Sequence, residues 1–147
     1  MQVLLGNWTG RIRLQDPASD LLGESASNLC VSLKSDGPFA LMNYTWSHHQ
    51  SPQKGTILLG VQEGTKKASA FWLDSFHTDD RGITLLGSID GKGIFDLLGS
   101  YKASTGPNWG WRTIITPGPK HLRLVSFNIS PTGTEDLAIE SDYWKDQ

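Results

Sequence analysis

The residues most able to do chemistry lie together near the middle of the chain, between Ala70 and His77. Asp74 places a carboxylate among aromatic residues, and His77 adds an imidazole at the end of the same stretch. A carboxylate in apolar surroundings has a raised pKa, which suits it to general acid or base catalysis. The same groups could instead hold the polar end of a ligand in an apolar pocket. Asp74 and His77 are therefore candidates for binding or for acid–base chemistry.

The stretch has the length of one β-strand, and successive residues of a strand point to opposite faces of a sheet. Neither face is wholly apolar, because one carries the carboxylate and the other the imidazole. A strand buried on both faces needs a reason for its polar residues, and a ligand cavity inside a barrel is one such reason. The predicted faces are Ala70, Trp72, Asp74 and Phe76 on one side, and Phe71, Leu73, Ser75 and His77 on the other.

Four further residues complete the predicted ligand site. Trp72 and Trp111 are candidate pocket walls because each neighbours a polar residue that needs a partner. Arg112 and the hydroxyl of Tyr44 could hold a polar ligand group. Arg112 lies on the opposite strand face from Trp111, so both can line one cavity only if the strand bulges. In the alternative interpretation the aromatic residues fill the core, and the charged groups point outward or pair with each other.

The motif search gives no catalytic or metal site. His48 and His49 are adjacent, and neighbours on an extended segment point apart, so they make a poor pair of metal ligands. No Gly-x-Ser-x-Gly elbow occurs, and the glycines around Lys92 precede a strand rather than a helix, which excludes a phosphate-binding loop. Cys30 is the only cysteine, so no internal disulfide forms, and we expect it to pack as a small apolar group.

Alternating apolar residues and turn signals predict about ten short strands and no long helix. Asp90-Gly91 between two apolar runs is the clearest hairpin signal. We also expect a turn at 35–38, a loop at 47–54 and a helical turn at 20–22. Such a meander favours an all-β, closed antiparallel up-and-down barrel, with a two-sheet sandwich as the alternative. The predicted strands cover 7–14, 29–33, 39–46, 56–62, 67–76, 83–89, 94–102, 109–116, 122–129 and 137–144.

Composition limits the class of protein. The chain has 147 residues, which suits a single domain over 1–147. Its formal net charge of −2 gives no basic field to attract nucleic acid or an anionic membrane. No apolar run reaches the length of a membrane-spanning helix, and the first residues lack the pattern of a signal peptide. We therefore expect a soluble, cytoplasmic protein without a nucleic-acid or membrane partner.

Four stretches together resemble a known family: Gly6 to Gly10, Trp72 to His77, Trp109 to Arg112, and Ser130 to Glu135. The chain resembles the bacterial lipocalin-like proteins of unknown function in the calycin group, distant relatives of fatty-acid-binding proteins and nitrobindins. This resemblance implies a closed barrel of about ten strands with an internal cavity, and no particular reaction. Nitrobindin-like barrels hold haem through a histidine near the chain end. Because no histidine lies in the final predicted strand here, we expect no cofactor, haem included.

Three functions follow from these observations. The first is a barrel that binds a small, mostly apolar ligand in its interior. The second is a small enzyme that uses the same cavity, with Asp74 or His77 as acid or base. The third is an interaction protein that forms a homodimer through a tryptophan-rich outer face or through the strand from Phe95 to Tyr101.

Overall fold

A computed structural model describes residues 1–15, 22–34 and 37–147. Within these residues the chain forms a short 3₁₀ helix, Gln2–Leu4, followed by ten β-strands. The strands are β1 (Gly6–Gln15), β2 (Leu22–Lys34), β3 (Phe39–His48), β4 (Ser51–Val61), β5 (Lys67–Asp74), β6 (Ile83–Ile89), β7 (Phe95–Tyr101), β8 (Trp109–Pro117), β9 (His121–Ile129) and β10 (Glu135–Lys145).

Each strand pairs antiparallel with the next one along the chain, and β10 returns to pair with β1. In this closing pair Gly10 lies opposite Tyr143 and Ile12 opposite Ser141. Closure leaves no strand with a free row of backbone hydrogen-bonding groups. The predicted closed up-and-down barrel is confirmed, and the two-sheet sandwich is excluded.

Alternation of side chains along each strand separates a packed interior from an outer surface. β5 shows the pattern fully, because Ala68, Ala70, Trp72 and Asp74 are buried while the intervening residues are exposed. The 3₁₀ helix lies at the end of the barrel where β1 begins, and its Leu4 is completely buried. The carbonyl of Leu4 accepts a hydrogen bond from the indole Nε1 of Trp8 at 2.9 Å. The helix therefore covers one end of the barrel, opposite the end where β1 finishes.

The loop predicted at 47–54 is wrong. β3 continues to His48 and β4 already begins at Ser51, so a turn of only two residues joins them. Both turn residues, His49 and Gln50, have positive φ, as a tight hairpin turn requires. β2 also begins earlier than predicted, at Leu22. The predicted helical turn at 20–22 falls on residues 20 and 21, which lie outside the described ranges, and on Leu22, which begins β2. Residues 35 and 36 of the predicted turn at 35–38 also lie outside the described ranges.

The outer surface corrects two expectations. Cys30 is exposed on β2 rather than packed. Four of the six tryptophans are buried, and only Trp144 is largely exposed, so the barrel has no tryptophan-rich outer face. Leu98, on the strand that we expected at a dimer contact, does point outward. No helix in the described part of the chain is both long and apolar enough to cross a membrane.

Candidate functional site

The carboxylate of Asp74 is the polar centre of the barrel interior. Its side chain is 1% exposed and accepts five hydrogen bonds. Oδ2 accepts from the Tyr44 hydroxyl at 2.7 Å and from the Trp46 indole at 3.1 Å. Oδ1 accepts from the backbone N–H groups of Phe76 and His77 and from the His77 ring. Asp74 is thus a satisfied buried carboxylate, as a charge in this position must be.

These hydrogen bonds reverse the expected pKa shift. Burial alone would raise the pKa of Asp74, but the hydrogen bond and charge interaction with His77 lower it, and so do the hydrogen bonds from the Tyr44 hydroxyl and the Phe76 N–H. The net effect holds the pKa of Asp74 below its ordinary value of 3.8. The expectation of a raised pKa is therefore wrong, and Asp74 is a fixed anion rather than a proton donor.

Tyr44 reaches Asp74 across an intervening strand. The register pairs Tyr44 on β3 with Gly55 on β4, and Gly55 with Asp74 on β5. The Tyr44 oxygen also accepts a hydrogen bond from Trp72 Nε1 at 2.8 Å. Burial, followed by the nearby charge of Asp74, raises the pKa of Tyr44 well above its ordinary value. The phenol therefore stays protonated and donates to the carboxylate.

His77 lies inside the barrel end, on the same side as Asp74, although strict alternation placed the two residues on opposite faces of the strand. β5 ends at Asp74, and the chain then turns, with Thr78 Oγ1 accepting from the Asp74 N–H and donating to the Asp74 carbonyl. The turn brings His77 Nδ1 to 3.0 Å from Asp74 Oδ1. An ionised carboxylate only accepts hydrogen bonds, so Nδ1 must carry the proton. Nε2 is buried and has no hydrogen-bond partner among the described residues.

Aromatic rings surround the imidazole of His77. Trp46 stacks on it with ring centroids 5.5 Å apart, and Trp72 lies at 5.6 Å. Trp111 lies at 6.2 Å and stacks in turn on Trp72 at 4.9 Å. Phe76 meets the imidazole edge-on at 4.9 Å and is itself 41% exposed. The structure thus brings together five of the six predicted site residues, namely Tyr44, Trp72, Asp74, His77 and Trp111.

Arg112 is the sixth, and the structure corrects its assignment. The strand does not bulge there, so Arg112 points outward while Trp111 points inward. On the outer face the guanidinium donates to both carboxylate oxygens of Asp96, at 2.8 and 2.7 Å, and to Glu135. Two carboxylates satisfy this arginine on the surface, and it takes no part in the interior site.

Sequence reasoning missed two groups of polar residues. Trp46 and Thr78 hold Asp74 directly, and Trp46 was detectable because it lies two residues after Tyr44 on the same strand face. The second group lines the wall across the interior: Trp111 donates to Thr113, and Thr113 bonds to Ser126 at 2.9 Å. The Tyr143 hydroxyl bonds to Ser27 at 2.8 Å. These hydroxyls satisfy one another and form a polar band within the apolar interior.

The interior is nearly filled, and more open pockets lie toward the barrel surface, including one of about 620 Å³ and one of about 560 Å³ that His77 also lines. The enclosed cavity between Asp74 and the hydroxyl band measures about 40 Å³. At the end opposite the 3₁₀ helix, a pocket of about 270 Å³ opens. We call this the mouth pocket, and its lining includes His48, His49, Phe76, His77, Trp111 and Ala138. His77 lines both spaces and separates them.

The described residues form neither a cluster of metal ligands nor an enclosed cavity of the size of haem. Within residues 1–15, 22–34 and 37–147, no three His, Cys, Asp or Glu side chains lie close enough together to hold a metal ion. The enclosed cavity is far too small for a macrocycle. The last histidine of the chain, His121, lies on the outer face and bonds to Asp142 at 2.9 Å.

The fold and site define a class: a closed ten-stranded barrel with a polar, aromatic-lined end. Two of the solved structures that match this chain share its fold. The crystal structure of Rv2717c from M. tuberculosis matches with a TM-score of 0.70 and 13% identity, over 99% of this chain and 94% of that one. The S-type phycobiliprotein lyase CPES from Guillardia theta matches with a TM-score of 0.66 and 16% identity, over 99% and 90%. At these identities the likeness shows the fold alone.

The sequence itself gives the family. Residues 1–145 match the family described as "Protein of unknown function (DUF1579)", and the chain belongs to that family. No curated protein sequence matches it.

Proposed function

We propose that this barrel binds a small, largely apolar molecule in the mouth pocket, with its polar group against His77. The observation that carries the proposal is His77, which lines a pocket of about 270 Å³ and whose buried Nε2 has no hydrogen-bond partner among the described residues. A buried polar atom without a partner is destabilising, and a ligand that supplies the partner removes that penalty. Ligand sites have this composition, with mostly apolar walls and a few placed polar groups.

The size of the two spaces indicates which ligands fit. The mouth pocket is near the lower end of the range for ligand sites, and the enclosed cavity beneath it adds only about 40 Å³. A molecule of one or two rings suits this space, whereas a long alkyl chain does not. We therefore propose that the ligand lies at the end of the barrel, whereas the sequence alone predicted a ligand in the barrel interior.

Two likenesses support ligand binding. The stretches Gly6 to Gly10, Trp72 to His77, Trp109 to Arg112 and Ser130 to Glu135 resemble lipocalin-like proteins of unknown function, and this resemblance implies an internal cavity. One structural neighbour is titled a phycobiliprotein lyase. The barrel of that lyase shares the fold of this chain.

Quenching of tryptophan fluorescence by small aromatic probes tests the proposal, because Trp46, Trp72 and Trp111 surround His77. Ala138 lines the mouth pocket and is buried, so Ala138→Phe should fill it. Ala26→Phe, on the exposed face of β2, is the matched control. We expect saturable quenching in the natural protein and in Ala26→Phe, and at least tenfold weaker quenching in Ala138→Phe. Circular dichroism checks the fold of each variant.

If Ala138→Phe does not fold, Asn128→Phe replaces it, since Asn128 lines the same pocket. Saturable quenching that is equally strong in a folded blocking variant would place the ligand elsewhere and overturn the proposal. Native mass spectrometry of the freshly purified protein adds an independent measurement. An excess mass that disappears on denaturation would support a bound molecule and identify it.

A further inference from the structure

The polar group that faces His77 can be deduced from the hydrogen bonds on the other side of the ring. Nδ1 donates to Asp74, whose carboxylate is held by four other donors and so cannot turn away. The two nitrogens of an imidazole point in nearly opposite directions, so Nε2 points away from Asp74. When the ring carries a single proton, on Nδ1, Nε2 is an acceptor.

We propose that the mouth pocket selects weakly acidic aromatic hydroxyl compounds, phenols, and that His77 Nε2 accepts the phenolic proton. This inference rests on the proposed function and specifies its ligand class. An acceptor buried among rings favours a ligand with an O–H donor attached to an aromatic ring. The same ring can then pack against Trp111 and Phe76, which line the pocket.

Proton transfer balances within the site. The phenolic O–H bond breaks, its proton forms an N–H bond at Nε2, and the ligand keeps the electron pair as a phenolate. His77 becomes an imidazolium held between the phenolate and the Asp74 carboxylate. Asp74 stabilises the imidazolium and stays ionised, as a carboxylate does when it orients a histidine base. No other reactant is required.

The surroundings of His77 are consistent with an accepted proton. Asp74 is the only charged side chain in hydrogen-bond contact with the ring among the described residues. Trp46 and Trp72 present aromatic rings to it, and such rings attract cations. Tyr44 remains a neutral phenol because burial and Asp74 raise its pKa. It therefore does not compete with the ligand as a proton donor.

Two matched probes test the inference. p-Nitrophenol carries the acidic proton and changes colour when it ionises, whereas p-nitrotoluene has nearly the same shape and no such proton. At a pH where free p-nitrophenol is mostly neutral, we expect bound p-nitrophenol to show the phenolate absorption band. We also expect it to bind about tenfold or more tightly than p-nitrotoluene, since a hydrogen bond to a charged group is lost with the latter.

His77→Gln should lose the phenolate band and the preference for p-nitrophenol while it still binds p-nitrotoluene. His121→Gln, on the outer face, is the control and should keep both. If His77→Gln does not fold, nitrogen NMR of the imidazoles in the natural protein provides the second measurement. It should show His77 protonated on Nδ1 without ligand and on both nitrogens with p-nitrophenol.

The outcomes separate the two proposals. Equal affinity for both probes with no phenolate band, or a band that persists in folded His77→Gln, would overturn proton acceptance and leave the ligand pocket intact. An Nε2-protonated His77 in the free protein would also overturn it. If neither probe quenches the tryptophans saturably, both the pocket and the proton acceptor are wrong.

Discussion

The hydroxyl of Tyr44 lies 2.7 Å from Oδ2 of Asp74, although a complete strand separates the two residues. The intervening residue, Gly55, makes this contact possible because it has no side chain. A Cβ at that position would overlap the Tyr44 ring. The glycine therefore allows a tyrosine on β3 to bond to a carboxylate on β5.

Replacement of Gly55 by alanine should displace Tyr44 and break its hydrogen bonds to Asp74 and Trp72. We expect the free energy of unfolding to fall by about 1–3 kcal/mol, as for other overpacked sites. Urea denaturation followed by tryptophan fluorescence measures this loss. Gly91→Ala is the control, because its new methyl group would meet open space. Equal stability of the two variants would contradict this role for Gly55.

The lowered pKa of Asp74 predicts a loss of stability in acid. A carboxyl whose pKa is lower in the folded than in the unfolded state stabilises the fold above its unfolded value, here near 3.8. That contribution disappears as the pH falls through the folded pKa. Asp74→Asn should therefore be clearly less stable than the natural protein at neutral pH, and the difference should shrink below pH 3.8.

Urea denaturation across an acidic pH series measures this difference. Asp136→Asn, at an exposed position, should follow the natural protein throughout. A gap between the natural protein and Asp74→Asn that stays constant with pH would show that the ionised carboxylate contributes no stability.

All three tyrosines should lose their phenolic protons at a higher pH than an exposed tyrosine does. Burial raises the pKa of Tyr143 to about 12, and it also raises the pKa of Tyr101 and, together with Asp74, that of Tyr44. The folded protein then keeps phenolic protons that the unfolded chain loses near pH 10. Stability from these groups is complete below that pH and falls as the pH rises above it.

Tyrosinate absorbance of the folded protein should accordingly rise at higher pH than that of the protein in denaturant. Superimposed titration curves would show that the phenols are not buried as described.

An ion cluster on the outer face, centred on the buried carboxylate of Asp142, should stabilise the junction of β1, β9 and β10. Asp142 accepts from Arg13 at 2.8 Å and bonds to His121 at 2.9 Å, although its side chain is only 8% exposed. Asp142→Asn should lower the free energy of unfolding by about 2 kcal/mol, because the charge is lost and one of the two accepting oxygens becomes an NH₂ donor. Glu24→Gln breaks an exposed pair with Arg11 and should cost less than about 1 kcal/mol. Urea denaturation measures both variants, and equal losses of unfolding free energy in Asp142→Asn and Glu24→Gln would contradict this expectation.

Much of the barrel could be predicted because the alternation of apolar and polar residues along a strand indicates which of its faces is buried. The bounds predicted for β6 are those found, and Ile139, Ser141 and Tyr143 share the interior as predicted. Leu137 does not share that face, because a register shift between Leu137 and Ile139 breaks the alternation. Such bulges depend on pairing with the neighbouring strand and leave little trace in one sequence.

The candidate site shows the same limit. Trp72 and Asp74 were placed correctly relative to each other because both lie within β5. His77 was placed on the wrong face because the strand ends three residues earlier, and hydrogen bonds to Thr78 and Asp74 decide where the chain turns. Arg112 was included for its chemistry, against the alternation that placed it outside.

The pairing of β1 with β10 has a consequence during synthesis. Strands β2 to β9 can each pair with the strand made just before, but one edge of β1 has no partner until Glu135–Lys145 leaves the ribosome. For most of translation the nascent sheet is open, with its interior tryptophans accessible to other chains. Closure joins segments at opposite ends of the barrel sequence, and such distant contacts form slowly.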